Sequence, residues 1–225
     1  MNYAIPCSQR GLGLRFATLC VAAAVSLSVP AKQPSFDQIF SDRGEPSTLH
    51  YQAVFTSNGG EHHVEVWRDG EQRLKRRTDE AIETYVFRKP GDSDFRLSIL
   101  DMKQRIHTRI DRTNLYRIGN FTDWFDLAHG LKHPMGVYRV VETQAQLGSP
   151  RAVKTCRWYE LIQDEHTTEI CWSAQSRLPM LIRTQDGKVV WRVTSLDQKP
   201  ISAKTFDIHD EGFIRNDANQ DIERD

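Results

Sequence analysis

Leu49-His50-Tyr51-Gln52-Ala53-Val54-Phe55-Thr56, closed by Ser57-Asn58-Gly59-Gly60, sets Leu49, Tyr51, Ala53 and Phe55 against His50, Gln52, Val54 and Thr56. A side-chain period of two belongs to a half-buried strand. The Asn-Gly-Gly that follows supplies the positive φ angles of a tight hairpin turn. The same grammar continues: Glu61 to Arg68, a turn at Asp69-Gly70, a charged strand from Glu71 to Arg77, then Glu83 to Lys89. After Pro90-Gly91 come Phe95 to Asp101 and Arg105 to Asp111. Short strands joined in sequence by short turns predict an antiparallel meander.

Further along, Gly136 to Thr143, Val153 to Gln163, Thr167 to Ser173, Pro179 to Gln185 and Lys188 to Leu196 read as strands, the last two joined across Asp186-Gly187. Two segments have helical spacing instead. Ser35-Phe36-Asp37-Gln38-Ile39-Phe40 carries a capping box, Ser35 with Gln38, and puts Phe36, Ile39 and Phe40 on one face. Phe121, Trp124, Phe125 and Ala128 form the second apolar face, which runs out at Gly130 and Pro134. The expected fold is therefore mainly β: a curved antiparallel sheet, an incomplete barrel, with two short helical segments on its concave side. Such a sheet must close, curl or cover its edges. The polar stretch 216–225 reads as a frayed tail, which leaves 32–215 as a single domain.

The first 31 residues read as a secretory signal: Arg10 and Arg15 without an acid, an apolar run from Phe16 to Val29, then Val29-Pro30-Ala31. That run is shorter than the roughly 20 residues a membrane span needs. Cleavage is expected after Ala31, giving an exported protein, placed in a bacterial periplasm. The chain is balanced, with 30 basic and 30 acidic residues, so it has no basic field for nucleic acid. A monomer is expected. Cys7 and Cys20 would leave with the signal, and Cys156 and Cys171 remain as an even pair in an oxidising compartment. A disulfide closing a loop of that size stabilises by roughly 3 kcal/mol in the chain-entropy model. Direct or near-direct opposition of the two cysteines is expected for the hairpin; the direct register sets Trp158 facing Glu169 and centres the loop on Gln163-Asp164.

Glu61-x-His63-x-Glu65 shares one strand face; it has the donors for a divalent ion but reads as the solvated polar face of an edge strand. His129 and His133 have the spacing of two helical ligands, with Asp126 a turn earlier, but Gly130 and Pro134 end the helix between them and HGLKH lacks the glutamate of H-E-x-x-H. A metal-dependent hydrolase built on them is the most distant reading, and no metal, cofactor or catalytic residue is assigned. Ser149, in Leu147-Gly148-Ser149-Pro150, lies in a turn and not in a nucleophile elbow. The basic strand offers Arg73, Lys75, Arg76 and Arg77 for docking an anionic surface, with Glu71, Asp79, Glu80 and Glu83 nearby to neutralise it. Aromatic residues are frequent on the strands, and Tyr51, Phe55, Trp67, Tyr85, Phe87 and Trp124 are the candidates for lining an apolar pocket.

The run Leu178-Pro179-Met180-Leu181-Ile182-Arg183-Thr184-Gln185-Asp186-Gly187-Lys188, with Val190-Trp191-Arg192-Val193 and Phe206-Asp207-Ile208, resembles the C-terminal half of the periplasmic outer-membrane lipoprotein carriers (LolA-like). The order of signal, short helix and meander is similar as well, and Arg88-Lys89-Pro90-Gly91 with Phe95-Arg96 is similar to that family's R-P-G-x-F-R segment. The resemblance implies an incomplete barrel lidded by helices, whose apolar interior holds acyl chains without covalent chemistry. The cysteine hairpin, the charged strand and the missing proline-rich ending mark a divergent branch. The function expected is a non-enzymatic carrier or binding protein for a lipid or lipoprotein acyl chain. The alternative is a structural or protein-interaction module with a filled core, docking an envelope partner through Arg73 to Arg77 or the tail.

Overall fold

The chain enters its first strand from a single helical turn. A computed structural model describes residues 33–57, 59–70, 72–117, 122–144 and 156–222; the signal segment, its cleavage point and Ser149 lie outside them. Helix α1 (Phe36–Ile39) starts on the expected capping box: the Ser35 hydroxyl accepts from the Gln38 amide and the Gln38 side chain accepts from the Ser35 amide.

Six strands follow as a meander: β1 (Thr48–Ser57), β2 (Gly60–Asp69), β3 (Arg73–Thr78), β4 (Ile82–Arg88), β5 (Phe95–Asp101) and β6 (Ile106–Asp111). Two short helices intervene, α2 (Arg112–Arg117) and α3 (Trp124–His129). A second meander is made by β7 (Tyr138–Thr143), β8 (Arg157–Gln163), β9 (His166–Ser173), β10 (Leu178–Thr184) and β11 (Val189–Asp197). After a 3-10 turn at Ala203–Phe206 the chain ends in β12 (Ile214–Asp217) and α4 (Ala218–Ile222).

All twelve strands among the described residues join one sheet, in the order β12-β6-β5-β4-β3-β2-β1-β11-β10-β9-β8-β7. The two meanders fuse where β11 pairs antiparallel with β1, and the sheet does not close into a barrel: β12 and β7 are its edges. Pro179, which has no amide to give a ladder, sits where the β10–β9 register shifts. Its carbonyl accepts a hydrogen bond from the Trp191 indole at 2.8 Å.

Three expectations need correction. The fold has four short helices among the described residues, not two. The stretch read as a tail contributes the end of β12, in parallel pairing with β6, and then α4. Its polar composition concealed a specific role: the Asn219 side chain accepts from the Asp111 amide at 2.8 Å and from Asn114 at 2.9 Å, which docks the helix on β6 and α2.

The cysteine hairpin is also registered differently. Gln163 pairs with His166 across a two-residue turn and Trp158 lies opposite Cys171, a slip of two from the expected pairing. The turn decides this, because Asp164 takes a positive φ of 52° and so fixes the loop one residue further along. Cys156 then lies just outside β8, diagonal to Cys171, and free of the ladder it still comes within 5.4 Å, Cα to Cα, and forms the disulfide.

Candidate functional site

Residues directly opposite in an antiparallel ladder share a face. On one face of the sheet Tyr51, Val66, Arg76, Thr84, Ile99 and Thr108 make a row across β1 to β6, and Leu49, Arg68, Leu74, Val86, Leu97 and Ile110 make the next. This face carries α1 and α3. The Phe40 ring meets Tyr159 and Trp172 at 5.5 and 5.3 Å between centroids, and Phe125 stacks on Trp172 at 6.3 Å.

Helix α3 is pinned at both ends. Asp123 caps its start, accepting from the Asp126 amide at 2.8 Å. Gly130 ends it with a φ of 66°, and a Cβ there would come within 2.7 Å of the Trp191 ring. Conformation and space therefore both demand glycine.

The helices cover this face unevenly. The row from Leu49 to Ile110 is buried, whereas Ile82, Thr84, Ile99, Ile106 and Thr108 are only half-buried. Phe55 is half-buried too, and the Arg76 guanidinium lies 5.7 Å from its ring centroid. Among the described residues no carboxylate pairs with Arg76. The result is a partly covered strip in which Phe55, Ile82, Ile99 and Ile106 alternate with Thr84, Thr108 and Asp101, and which holds the Arg76 cation. Tyr51, at the strip's covered margin, reaches the Ala128 carbonyl at 3.4 Å, and burial pushes its phenol up to about 12.

Deeper on the same face, Glu45, Arg68 and His129 meet. Arg68 and His129 are fully buried. Glu45 Oε2 stands 3.0 Å from Arg68 Nη1 and 2.9 Å from His129 Nε2, and His129 Nδ1 donates to the Phe125 carbonyl at 3.0 Å. Burial holds the Arg68 guanidinium below its ordinary range, opposed by Glu45. The trio binds the loop before β1, the second strand and α3 to each other.

His133 belongs to a different group. Its Nε2 is 2.8 Å from Asp37, and its Nδ1 faces Asp123 at 3.3 Å and Asp126 at 3.8 Å. Burial, and then the Asp123 charge, raise the Asp126 carboxyl above its ordinary value. As the glycine between them led us to expect, His129 and His133 do not share a site.

The opposite face is an ionic lattice. Here Trp67 pairs with Lys75, Lys75 with Tyr85, and Phe87 with Arg96. Lys75 bonds Glu83 at 3.0 Å, Arg77 pairs with Glu65, and Arg73 pairs with Asp69 and lies over the Phe206 ring. Trp67 lies between His50, stacked at 5.0 Å, and the cations of Lys75 and Arg77. Tyr85 is buried and donates to Glu83 at 2.6 Å; burial and that bond push its phenol far up. Clefts of about 450 and 350 Å³ adjoin Phe87, lined largely by charged groups such as Lys89, Asp94, Arg96 and Asp210.

The sheet thus divides the six aromatic candidates. Tyr51 and Phe55 belong to the helix-bearing face, and α3 brings Trp124 to it, 4.3 Å beneath the Arg88 guanidinium. Trp67, Tyr85 and Phe87 are on the other side. The basic strand is divided likewise: Arg73, Lys75 and Arg77 meet carboxylates, and Arg76 alone turns to the strip. Sequence reasoning missed Arg68 and Glu45. Arg68 shares the parity of Val64 and Val66, so strict alternation already directs it inward.

No known protein family matches the chain, and no curated protein matches it. Among solved structures it is similar to the crystal structure of MucB, with a TM-score of 0.43 and 12% identity over 78% of this chain. The match spans 62% of the MucB chain.

Proposed function

We propose that this is an exported, non-enzymatic binding protein that holds an amphiphile, an acyl chain with an anionic end, on the open part of the helix-bearing face. One observation carries the reading: Phe55, Ile82, Ile99 and Ile106 are only half-buried on the face that Arg76 shares, and Arg76 is a cation without a carboxylate partner among the described residues. Small-ligand sites combine an apolar lining with a few placed polar groups, and this face offers Phe55, Ile82 and Ile99 together with the Arg76 guanidinium. Burying an acyl chain yields about 0.8 kcal/mol per methylene, and a carboxylate or phosphate end meets a charge-assisted bond at the guanidinium. The resemblance of the C-terminal strands to lipoprotein carriers supports the same reading. Nothing in the arrangement calls for a nucleophile or a general base.

Native mass spectrometry and lipid extraction of protein purified from the exporting compartment test this. A mass adduct that resolves into a long-chain amphiphile is the expected result. Ligand-free protein that also fails to bind acyl probes would sink the proposal.

A second reading, a protein-interaction module with a filled core, rests on another feature. Met135 and Val137 are 72% and 88% exposed and lead directly into the edge strand β7, which fits an added strand from a partner. It predicts a co-purifying envelope protein and no lipid adduct.

A further inference from the structure

Three side chains at the start of α3 and just beyond its end converge on one point. Asp123 uses Oδ1 to cap the helix, which leaves Oδ2 turned away from it, 3.3 Å from His133 Nδ1. Asp126, one turn on, is 10% exposed; its Oδ1 is buried without a hydrogen-bond partner and lies 3.8 Å from the same nitrogen. His133 Nδ1 is itself buried and has no hydrogen bond. A buried polar atom left without a partner costs about 1–3 kcal/mol, and here two such atoms face each other.

The imidazole is fixed in this orientation. Its ring is 4.7 Å from Phe36 and 5.2 Å from Phe125, centroid to centroid, and its far nitrogen is held by Asp37 at 2.8 Å. A carboxylate on the outer nitrogen and an open inner nitrogen is the arrangement that orients a metal-bound histidine. The three candidate ligand atoms lie within 4.8 Å of one another. Around an ion bound at about 2.0–2.2 Å, ligand atoms stand roughly 3–4 Å apart, a range that contains both measured separations. Two carboxylates and a neutral imidazole carry two negative charges, and a nitrogen donor favours a transition ion over magnesium or calcium.

We propose that Asp123, Asp126 and His133 bind one divalent cation of the zinc class, with Asp37 as the outer partner of the histidine. The ion supplies the missing partner of both orphaned atoms and ties the segment after α3 to α1 and to the start of α3. It thereby fixes the two helices that cover the sheet.

Isothermal titration of zinc chloride into the untagged full chain tests the site. One equivalent is expected, lost in His133→Ala. It should weaken about tenfold or more in Asp123→Asn, which keeps the helix cap, and about 10–100-fold in Asp37→Asn, the usual cost of an outer-partner change. Exposed His166 serves as the control, and His166→Ala should bind as the parent does. Should His133→Ala fail to fold by circular dichroism, Asp123→Asn and Asp37→Asn decide. No stoichiometric heat from the parent, or equal binding by Asp123→Asn and Asp37→Asn, overturns the proposal and leaves an imidazolium-carboxylate network only.

Discussion

Arg68 is the residue on which the covered half of the sheet depends. Its side chain is fully buried, and Glu45 is the carboxylate that offsets its charge, at 3.0 Å. Removing one member of a buried pair leaves the other uncompensated, at about 3–5 kcal/mol. Glu45→Gln keeps the volume and removes the charge, so it should lower the stability measured by urea unfolding by about that amount. A loss below about 1 kcal/mol would place the pair among ordinary surface bridges. The parity of β2 made the inward direction of Arg68 legible in the sequence, but Glu45, in an irregular loop, could not be matched to it without the fold. The same holds for the pairing of His133 with Asp37, which lies on a different helix, whereas its neighbour Asp126 was already in view from the local spacing.

Among the elements, the meander was legible strand by strand, because alternation, turn residues and the capping box all act within a few positions. What sequence did not reveal depends on long-range pairing. Strand β12 has little apolar content, and it forms because β6 offers a free edge and because Asp210 clamps it. Asp210 bonds Arg215 at 2.8 Å and His107 at 2.7 Å, and these two, Arg215 first, draw its carboxyl from the ordinary 3.8 down to about 2. A depressed carboxylate stabilises the fold above its unfolded value and loses that effect as pH falls through the folded one. Asp210→Asn should therefore melt below the parent at pH values above 3.8, and the gap should close by about pH 2. Thermal unfolding followed across that window checks it, and a gap that persists unchanged to the acid end would contradict the clamp. The cysteine hairpin teaches a similar lesson. Its strands were evident, yet a single turn residue, Asp164, moved the register by two.

For the whole molecule, the decisive property is that one sheet has two unlike faces. The opposite face is knit by ion pairs, so the basic strand that stands out in the sequence is largely spent within the fold. The helix-bearing face is sealed near Arg68 and only partly covered near Ile99; alternation alone sets Arg76 opposite Arg73, Lys75 and Arg77, and the assembled sheet adds that those three meet carboxylates while Arg76 does not among the described residues. Composition could place aromatics on strands but could not assign them to one side, and Trp67, Tyr85 and Phe87 fell on the far side from Tyr51 and Phe55. The central claim is that the open strip holds an acyl chain at Ile99 and its anionic end at Arg76. Its most direct measurement is the affinity of a fluorescent long-chain fatty acid and of the matching fatty alcohol for the parent, Ile99→Glu and Arg76→Gln. Losing an apolar contact of this size is worth about 1.5–3 kcal/mol, which is tenfold or more in affinity. Ile99→Glu should weaken both probes by that factor and Arg76→Gln only the acid, with unchanged circular dichroism. Binding of neither probe by the parent, or equal binding by parent and both variants, would contradict it.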